Sequence, residues 1–455
     1  MNTADLARLQ FSVTAGLHFL FVSLTLGLVT VVAVTQTRAA LARDPEARAT
    51  GMLRVRFWGG LYVVNYALGI ISGIVQEFQF GLNWSGLTHT MGNVIGAPMA
   101  IETIVAFFLE STFLGMWAFG FHRLSARAHL VLIWLVALTA YASAFWIMVV
   151  NGFMQNPVGH DAGDGTARVT DWGAILTNEA TWYALAHIAG AVALLAGLFL
   201  AAVSAAHLRR DHEIAFFRPT LAQGGVLAAA GAFVTVVAGG VHLVALEGYQ
   251  PEKYVVMMGE TGPALDEARA AAAERYGPGD WLPPEWVGIP SLLMLIIGVF
   301  LLLLAWIPAT AARRSDAPLS RRRFRLGLAT KLLPFGFIAL VCGWLSREVG
   351  RQPWAVHGEL TVEQAVSDVS FGAMLATFAA LTGVLLVLAL VDGALLSHYA
   401  RLGPAGAFIG GPDMFPGPDD PDGGKEAGGA SGRRAAGSAA SGRDPGDGVD
   451  VHLTY

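Results

Sequence analysis

The stretch Gly16–Val34 reads GLHFLFVSLTLGLVTVVAV and is the core of an apolar segment over residues 10–36. About 20 apolar residues in an α-helix are enough to cross the ~30 Å hydrocarbon core of a bilayer. The run is also too long for the apolar region of a cleavable signal peptide. The segment therefore predicts a first membrane helix.

Eight further apolar segments follow along the chain. They cover residues 57–76, 95–119, 130–152, 181–206, 220–245, 288–310, 330–348 and 370–397. Many glycines fall inside these segments, where small residues let helices approach closely or leave room for a flat cofactor. We predict an all-α, polytopic membrane domain over residues 1–402, with nine transmembrane helices in one bundle.

The composition excludes several classes of protein. Charged residues make up 14% of the 455 residues and hydrophobic ones 54%, whereas a soluble domain carries about 25% charged residues. The net charge of -5 offers no basic surface for nucleic acid. Cys342 is the one cysteine, which excludes a disulfide framework, a cysteine-ligated zinc site and an iron–sulfur cluster.

Loop charges predict the orientation of the bundle. Arg and Lys number 17 after segments one, three, five and seven, against 5 after segments two, four, six and eight. By the positive-inside rule the N-terminus lies outside and the C-terminus in the cytoplasm. The composition of residues 403–455 predicts a disordered cytoplasmic tail. The extracytoplasmic loop 246–287 contains a predicted surface helix at Leu265–Tyr276.

Ionisable side chains inside membrane segments are rare and mark functional sites. Four such side chains, together with Met294, are possible ligands that the topology places in the outer leaflet. They are His18, Glu102, His187 and Glu348. Histidine and methionine hold haem iron, and a single axial ligand leaves a position where O₂ binds. The alternative is that these residues only pack, which is the interpretation we give to His242.

Glu102 and Glu110 lie eight residues apart in the third segment. In a regular α-helix this spacing corresponds to about 12 Å along the axis and about 80° around it. Such a ladder suits proton delivery, with Ser111, Ser143 and Asn151 as bridging groups. The alternative is a pair of protonated carboxyls that hydrogen-bond to neighbouring helices.

Five longer motifs carry a resemblance to a known family. They are RLQFSVTAGLHFLF at Arg8–Phe21, QEFQFGLNW at Gln76–Trp84, IETIVAFFLEST at Ile101–Thr112, NGFMQNPVG at Asn151–Gly159 and GWLSREVGRQPW at Gly343–Trp354. In this order they resemble subunit I of the cytochrome bd-type quinol oxidases, from residue 5 to about residue 402. The family has nine helices and an outside N-terminus.

The resemblance implies three haems in the outer half of a bacterial cell membrane. His18 would ligate one of the two high-spin haems that form the oxygen-reducing site and Glu348 the other, with Glu102 close to that pair. The cofactors of the pair would be a high-spin haem b together with a haem d or a second high-spin haem b. His187 and Met294 would ligate a low-spin haem b that accepts electrons from quinol. The remaining implied residues are Trp344 among the haems, Arg8 and Arg351 at propionates, Glu110, Ser111 and Ser143 on the proton path, and Lys253 at the quinol loop.

Three positions depart from the family pattern. The loop keeps Gln250, Pro251 and Lys253 of a QPxK segment, but Met258 stands where a glutamate is usual, with Glu260 as the nearest carboxylate. The family usually has an aspartate after a glycine at the end of the sixth helix, where this chain has the pair Gly239–Gly240. It usually has an arginine two residues before the methionine ligand, where this chain has Leu292. All three changes surround the low-spin haem, so we hypothesise an altered electron-donor site.

These observations predict a haem-containing terminal oxidase subunit that oxidises quinol and reduces O₂ to water with charge separation across the membrane. The resemblance implies a second membrane subunit, subunit II, and a small accessory subunit is a further candidate partner. One alternative is a haem-bearing electron-transfer or sensing protein that has lost quinol oxidation. The other is a transporter that uses the buried carboxyls and binds no haem.

Overall fold

The computed structural model describes residues 2–163, 165–313 and 319–410, and these form a bundle of long helices. In chain order the helices are α1 (Thr3–Leu41), α2 (Pro45–Asn83), α3 (Ser85–Thr103), α4 (Ser111–Ala118), α5 (Ala126–Gln155), α6 (Trp172–Leu176), α7 (Glu179–Leu208), α8 (Ile214–Tyr249), α9 (Pro251–Met257), α10 (Pro263–Tyr276), α11 (Gly288–Leu304), α12 (Ile307–Arg313), α13 (Leu319–Glu348), α14 (Val362–Ala365) and α15 (Phe371–Leu402). Within the described residues, nine spans are long and apolar enough to cross a membrane. The prediction of nine helices is confirmed for this part of the chain.

Most of these helices are longer than the apolar segments that predict them. The first begins at Thr3 because Asn2 caps it, in a capping box with Asp5. The second begins at Pro45, directly after the N-cap Asp44. Polar residues at the helix ends thus continue the helices past the apolar core, and hydropathy alone does not find these ends.

Glycines bring α7 and α8 into close contact. A Cβ added at Gly197 would lie 2.3 Å from the backbone nitrogen of Ala228, and one at Gly231 would lie 2.3 Å from that of Leu194. Only a residue without a side chain allows this distance between two helix backbones. Here the glycines serve helix packing, which is one of their two predicted uses.

One end of the bundle carries two small hairpins and the short helices α6, α9, α10 and α14, and we call it the hairpin end. The strands are β1 (His160–Asp161) with β2 (Arg168–Val169), and β3 (Trp354–Val356) with β4 (Leu360–Thr361). Backbone hydrogen bonds from His357 to Met154 and from Ser367 to Asn83 fasten these connections to the bundle. The predicted surface helix in the long loop is confirmed as α10.

The opposite end carries the arginine-rich connections, and we call it the basic end. It includes the turns 42–44, 119–125 and 209–213. The chain stays packed past the predicted domain limit of 402, since Gly403–Gly406 forms a 3₁₀ turn and Ile409 is fully buried. The bundle therefore extends to residue 410, and residues 411–455 of the predicted tail lie outside the described residues.

Candidate cofactor site

His18 lies on α1 with its ring held against α2. Its Nδ1 is 2.8 Å from the Ser72 hydroxyl, which itself donates to the carbonyl of Gly69 over 2.5 Å. Because the hydroxyl hydrogen is used, Nδ1–H must donate to Ser72 and Nε2 keeps its lone pair. A hydrogen bond of this kind orients a histidine for ligation through Nε2.

Trp344 packs against two neighbours of this histidine on α1. Its ring stacks on Phe19, with centroids 5.4 Å apart, and a Cβ at Gly16 would lie 3.1 Å from its Cδ1. The indole Nε1 is buried and has no hydrogen-bond partner among the described residues. A buried donor without a partner is unfavourable, so this position suits a polar group of a bound ligand.

Glu348 is the centre of a buried polar cluster at the end of α13. Its Oε1 accepts from Asn151 at 2.7 Å, and its Oε2 pairs with Arg351 at 2.8 Å. Asn151 also accepts from Arg347 over 2.6 Å. These contacts place Asn151 at Glu348, and its predicted role as a bridging group of the Glu102–Glu110 ladder stays a prediction.

Arg8 and Arg351 line one small cavity together with Glu348. Arg351 is 6% exposed, and its Nε and Nη1 have no partner in the described part of the chain, as is also true of Nε of Arg8. The remaining contacts of Arg8 are ion pairs with Asp5 and Glu363. Guanidinium groups with free donors beside a candidate iron ligand suit the propionates of a haem.

His187 on α7 is held in the same way as His18. Its Nδ1 lies 2.9 Å from the carbonyl oxygen of Thr235, which can only accept, so Nδ1 carries the hydrogen and Nε2 is the free nitrogen. A Cβ at Gly239 would lie 2.7 Å from Nδ1, so glycine makes room for the ring. Met294 lies on α11, and its Sδ is 3.0 Å from where a Cβ of Gly343 would be.

The two carboxyls of the third span do not follow a regular α-helix. Residues Ile104–Glu110 form a π-helix, whose wider turn changes the rotation per residue, so the predicted 80° does not apply. Glu102 accepts from Ser143 over 2.8 Å, and the place of both residues on a proton path stays a prediction. Glu110 is 4% exposed with Oε1 unpartnered among the described groups, whereas Ser111 contacts Tyr66 at 3.0 Å. π-helical turns of this kind frequently lie at functional sites.

Lys253 in α9 is buried rather than exposed on its loop. Its Nζ donates to Gln155 Oε1 at 3.1 Å and to the Arg347 carbonyl at 2.8 Å. Burial, together with the charge of Arg347, holds the pKa of Lys253 well below its usual value. The loop residue is thereby connected to the partners of Glu348, since Gln155 also lies 3.5 Å from Glu348 Oε1.

Glu252, next to it, lies 3.5 Å from Nε2 of His357. Burial favours the neutral carboxyl, but the contacts with His357 and the nearby charge of Arg275 outweigh it, so the pKa of Glu252 lies below its usual value. Burial and the charge of Glu252 raise the pKa of Tyr276 to about 12. The loop therefore packs on a charged, buried cluster.

Comparison with known proteins shows which family this chain is similar to. The profile described as "Cytochrome bd terminal oxidase subunit I" matches residues 6–274 and 279–404. Subunit 1 of a cytochrome bd ubiquinol oxidase from Bacillus subtilis is 33% identical over 82% of this chain and 88% of its own length. Subunit 1 of the cytochrome bd-II ubiquinol oxidase of Escherichia coli is 29% identical over 89% and 97%.

The chain belongs to the cytochrome bd terminal oxidase subunit I family. The bd oxidase of Geobacillus thermodenitrificans has the same fold, with a TM-score of 0.77, 23% identity and coverage of 89% of this chain and 99% of that one. The electron-transfer or sensing alternative is therefore not favoured, and neither is the transporter. The ligand assignments above stay predictions.

The three departures from the bd pattern lie at open positions. Met258 is 49% exposed and Leu292 is 57% exposed. A Cβ at Gly240 would have nothing within 4 Å in the described structure. Changes at such positions are compatible with an intact bundle, and they leave the contacts of His187 and Met294 in place.

Sequence analysis missed several polar residues around the site. Arg347 is part of the motif at Gly343–Trp354 and precedes Glu348. A basic residue inside a membrane segment indicates a functional role. Gln155 and Ser72 carry no comparable signal, because polar but uncharged residues are common in membrane helices. His242 has its Nε2 3.0 Å from the hydroxyl of Tyr249, and its packing role stays a prediction.

Proposed function

We propose that this chain is the haem-bearing subunit of a membrane oxidase that takes electrons from quinol and reduces O₂ to water. The observation that carries the proposal is the shared state of His18 and His187. Each ring has Nδ1 fixed by an acceptor on the neighbouring helix and Nε2 free. Two such histidines within membrane spans are what axial ligation of haem needs.

The donor set fits haem. His18 and Glu348 would each hold one haem through a single protein ligand, while His187 and Met294 would hold a third between them. Bound haem supplies one-electron transfer and, where one axial position stays open, O₂ chemistry. Buried donors without partners on Trp344, Arg8 and Arg351 support this assignment.

Arg347 takes the place of the arginine that the family carries near the methionine ligand. It lies one helical turn after Gly343, where an added Cβ would be 3.0 Å from Met294 Sδ. Its Nη2 reaches the carbonyl of Ala180 on α7, the helix that carries His187. A positive charge at this place would favour the reduced haem over the oxidised haem. Arg347 would thereby compensate for the arginine that is missing at Leu292.

The chain's carboxyls would deliver the protons that O₂ reduction consumes. Glu110 is buried at the end of the π-helix, and Glu102 is bonded to Ser143. These groups hold protons in the membrane interior, where a neutral carboxyl is favoured over a charged one. The consumed protons would come from the cytoplasm, and quinol would release its protons outside.

The quinol site would lie at the hairpin end, beside α9. Gln250 is 1% exposed and both its amide atoms lack partners among the described groups, while Lys253 is buried next to it. Relatives in Bacillus subtilis are described as a ubiquinol and a putative menaquinol oxidase subunit. We assign a quinol donor without choosing between these two types.

Membrane placement and partner follow from the same proposal. The basic end would face the cytoplasm of a bacterial cell, with the N-terminus outside. A subunit II would complete the oxidase, because the third span and α15 leave most of their apolar windows uncovered by this chain.

The test is quinol-driven oxygen consumption by the purified complex, measured with ubiquinol and with menaquinol. We expect turnover with at least one of them. Gln250→Ala should lose turnover with saturating quinol but keep it when an artificial reductant supplies the electrons. A haem-loaded complex that consumes no oxygen with either quinol would contradict quinol oxidation and favour the electron-transfer alternative.

A further inference from the structure

A large cavity lies in the basic half of the bundle, between α1, α2, α7, α13 and α15. Its volume is about 720 Å³. It extends from Arg210 and Arg401 at the basic end to Leu17 and Phe21, which flank His18 on α1. Neither Glu102 nor Glu110 lines it, so it is separate from the carboxyl ladder described above.

Asp392 is the one carboxyl among the residues that line this cavity. It is 8% exposed, and its Oδ1 has no hydrogen-bond partner in the described part of the chain. An acidic side chain inside a membrane helix is costly and marks a functional site by default. The other ionisable groups in the lining are His207 on α7, Arg210 in the turn 209–213 and Arg401 on α15, while α1, α2 and α13 contribute none.

A polar seam continues from the cavity towards His18. Asn65 lines the cavity, and its amide donates to the Phe21 carbonyl at 2.9 Å and to Thr25 Oγ1 at 2.7 Å. One and two turns further along α2 come Gly69 and Ser72, whose hydroxyl contacts His18. Polar groups therefore face one another between α1 and α2 from the cavity to the candidate haem ligand.

We propose that Asp392 and this cavity form a second proton-intake route, which leads from the basic end to the oxygen-reducing site. The carboxyl takes up a proton from water at the basic end and releases it to water at the deep end of the cavity. Reduction of O₂ to two waters takes four electrons from quinol and four protons, so the route supplies part of an established demand. This inference rests on the oxygen-reducing activity proposed above.

The main competing occupant of the cavity is a lipid. Two arginines at the rim suit an anionic headgroup, and the walls are mostly apolar. An acyl chain would, however, leave the Asp392 oxygen without any partner, whereas water satisfies it. The unpaired carboxyl therefore favours a hydrated cavity.

Water access to Asp392 is tested by thiol labelling. Because Cys342 is the only cysteine, Cys342→Ser gives a background in which Asp392→Cys is the single thiol of this chain. The matched control is Leu390→Cys, two residues away and 74% exposed on the outer face of α15. Arg401→Cys identifies the side of sealed vesicles that carries the basic end. A membrane-impermeant thiol reagent is the probe, and labelling is followed on this chain.

We expect the cysteine at 392 to react from the basic side roughly tenfold faster than the cysteine at 390, because a thiol must be hydrated to ionise and react. Equal rates at the two positions, or reaction only from the hairpin side, would overturn the proposal. Equal rates are also the result expected if a native lipid fills the cavity. This readout does not depend on oxidase activity, so it is separable from a failure of the proposed function.

Proton transfer through the carboxyl is tested by Asp392→Asn and Asp392→Glu in the complete oxidase. The control is Arg218→Gln, a basic-end residue that bonds the Ala312 carbonyl and does not line the cavity. We expect proton uptake during O₂ reduction to slow roughly fivefold or more in the amide variant, with haem content unchanged, and to recover in the glutamate variant. Proton uptake by Asp392→Asn at the rate of the control would overturn the route.

Discussion

Asn151 donates its side-chain amide to Oε1 of Glu348 over 2.7 Å and thereby joins residues that are 197 positions apart in the sequence. It also accepts from Arg347 at 2.6 Å. One neutral side chain on α5 therefore fixes two adjacent charged groups at the end of α13. Partners of this kind orient a ligand and tune it, and their loss is felt at the cofactor.

Replacing Asn151 by alanine should loosen the haem that Glu348 would hold. Loss of a partner that orients a ligand typically costs about 10–100-fold in affinity. The measurement is the ratio of extractable haem to protein after extended washing in detergent. Thr139→Ala is the control, because Thr139 is a buried residue of the same helix and bonds only to the backbone of α5. Full haem retention in Asn151→Ala would refute the positioning role.

Two neighbouring glycines give a sharp test of the low-spin site. A Cβ at Gly239 would lie 2.7 Å from His187 Nδ1, whereas one at Gly240 would meet nothing within 4 Å. We therefore expect Gly239→Ala to displace the histidine and weaken the low-spin haem band, while Gly240→Ala leaves the band unchanged. Reduced-minus-oxidised visible spectra measure both. Identical spectra for the two variants would argue against ligation by His187.

Substitution of Arg347 by glutamine should lower the midpoint potential of the low-spin haem. Removal of a nearby positive charge disfavours the reduced state, and a tenfold change in a one-electron equilibrium corresponds to about 59 mV. We expect a fall of several tens of millivolts in a redox titration. Arg218→Gln serves as control, since Arg218 bonds the Ala312 carbonyl at the basic end. An unchanged potential would remove Arg347 as the substitute for the missing arginine.

The contact between Glu252 and His357 should make stability depend on pH. Because the folded-state pKa of Glu252 is lowered, its contribution is present above the unfolded pKa of about 4.3 and is lost as the pH falls through the lower, folded-state value. Glu252→Gln should therefore unfold at a lower temperature than the native protein at pH 7, with the difference narrowing below about pH 4. A difference that is constant from pH 7 to pH 4, in thermal unfolding, would contradict this assignment.

The sequence predicts the bundle well because each membrane segment shows its own hydropathy signal. It also predicts His18, His187 and Glu348, since ionisable groups stand out in apolar segments. It does not predict the π-helix at Ile104–Glu110, because this depends on how the third span packs rather than on its local pattern.

The contacts that orient the candidate ligands could not be predicted for a similar reason. Ser72 meets His18 across 54 residues of sequence, and Gln155 meets Lys253 across 98. Neither serine nor glutamine is unusual in its own segment. Arg347 could have been predicted, since it is a charged residue in a membrane segment, but it is not among the ligands that the family resemblance implies.

The most direct test of the account compares two histidines on adjacent helices. His187 has Nε2 free and is assigned to the low-spin haem, whereas His242 uses Nε2 to contact Tyr249. The measurement is the visible spectrum of the purified oxidase after reduction by quinol and after reduction by dithionite. We predict that His187→Ala loses the low-spin haem band under both conditions and that His242→Ala keeps it. Retention of the band in His187→Ala, or its loss in His242→Ala alone, would contradict the central claim.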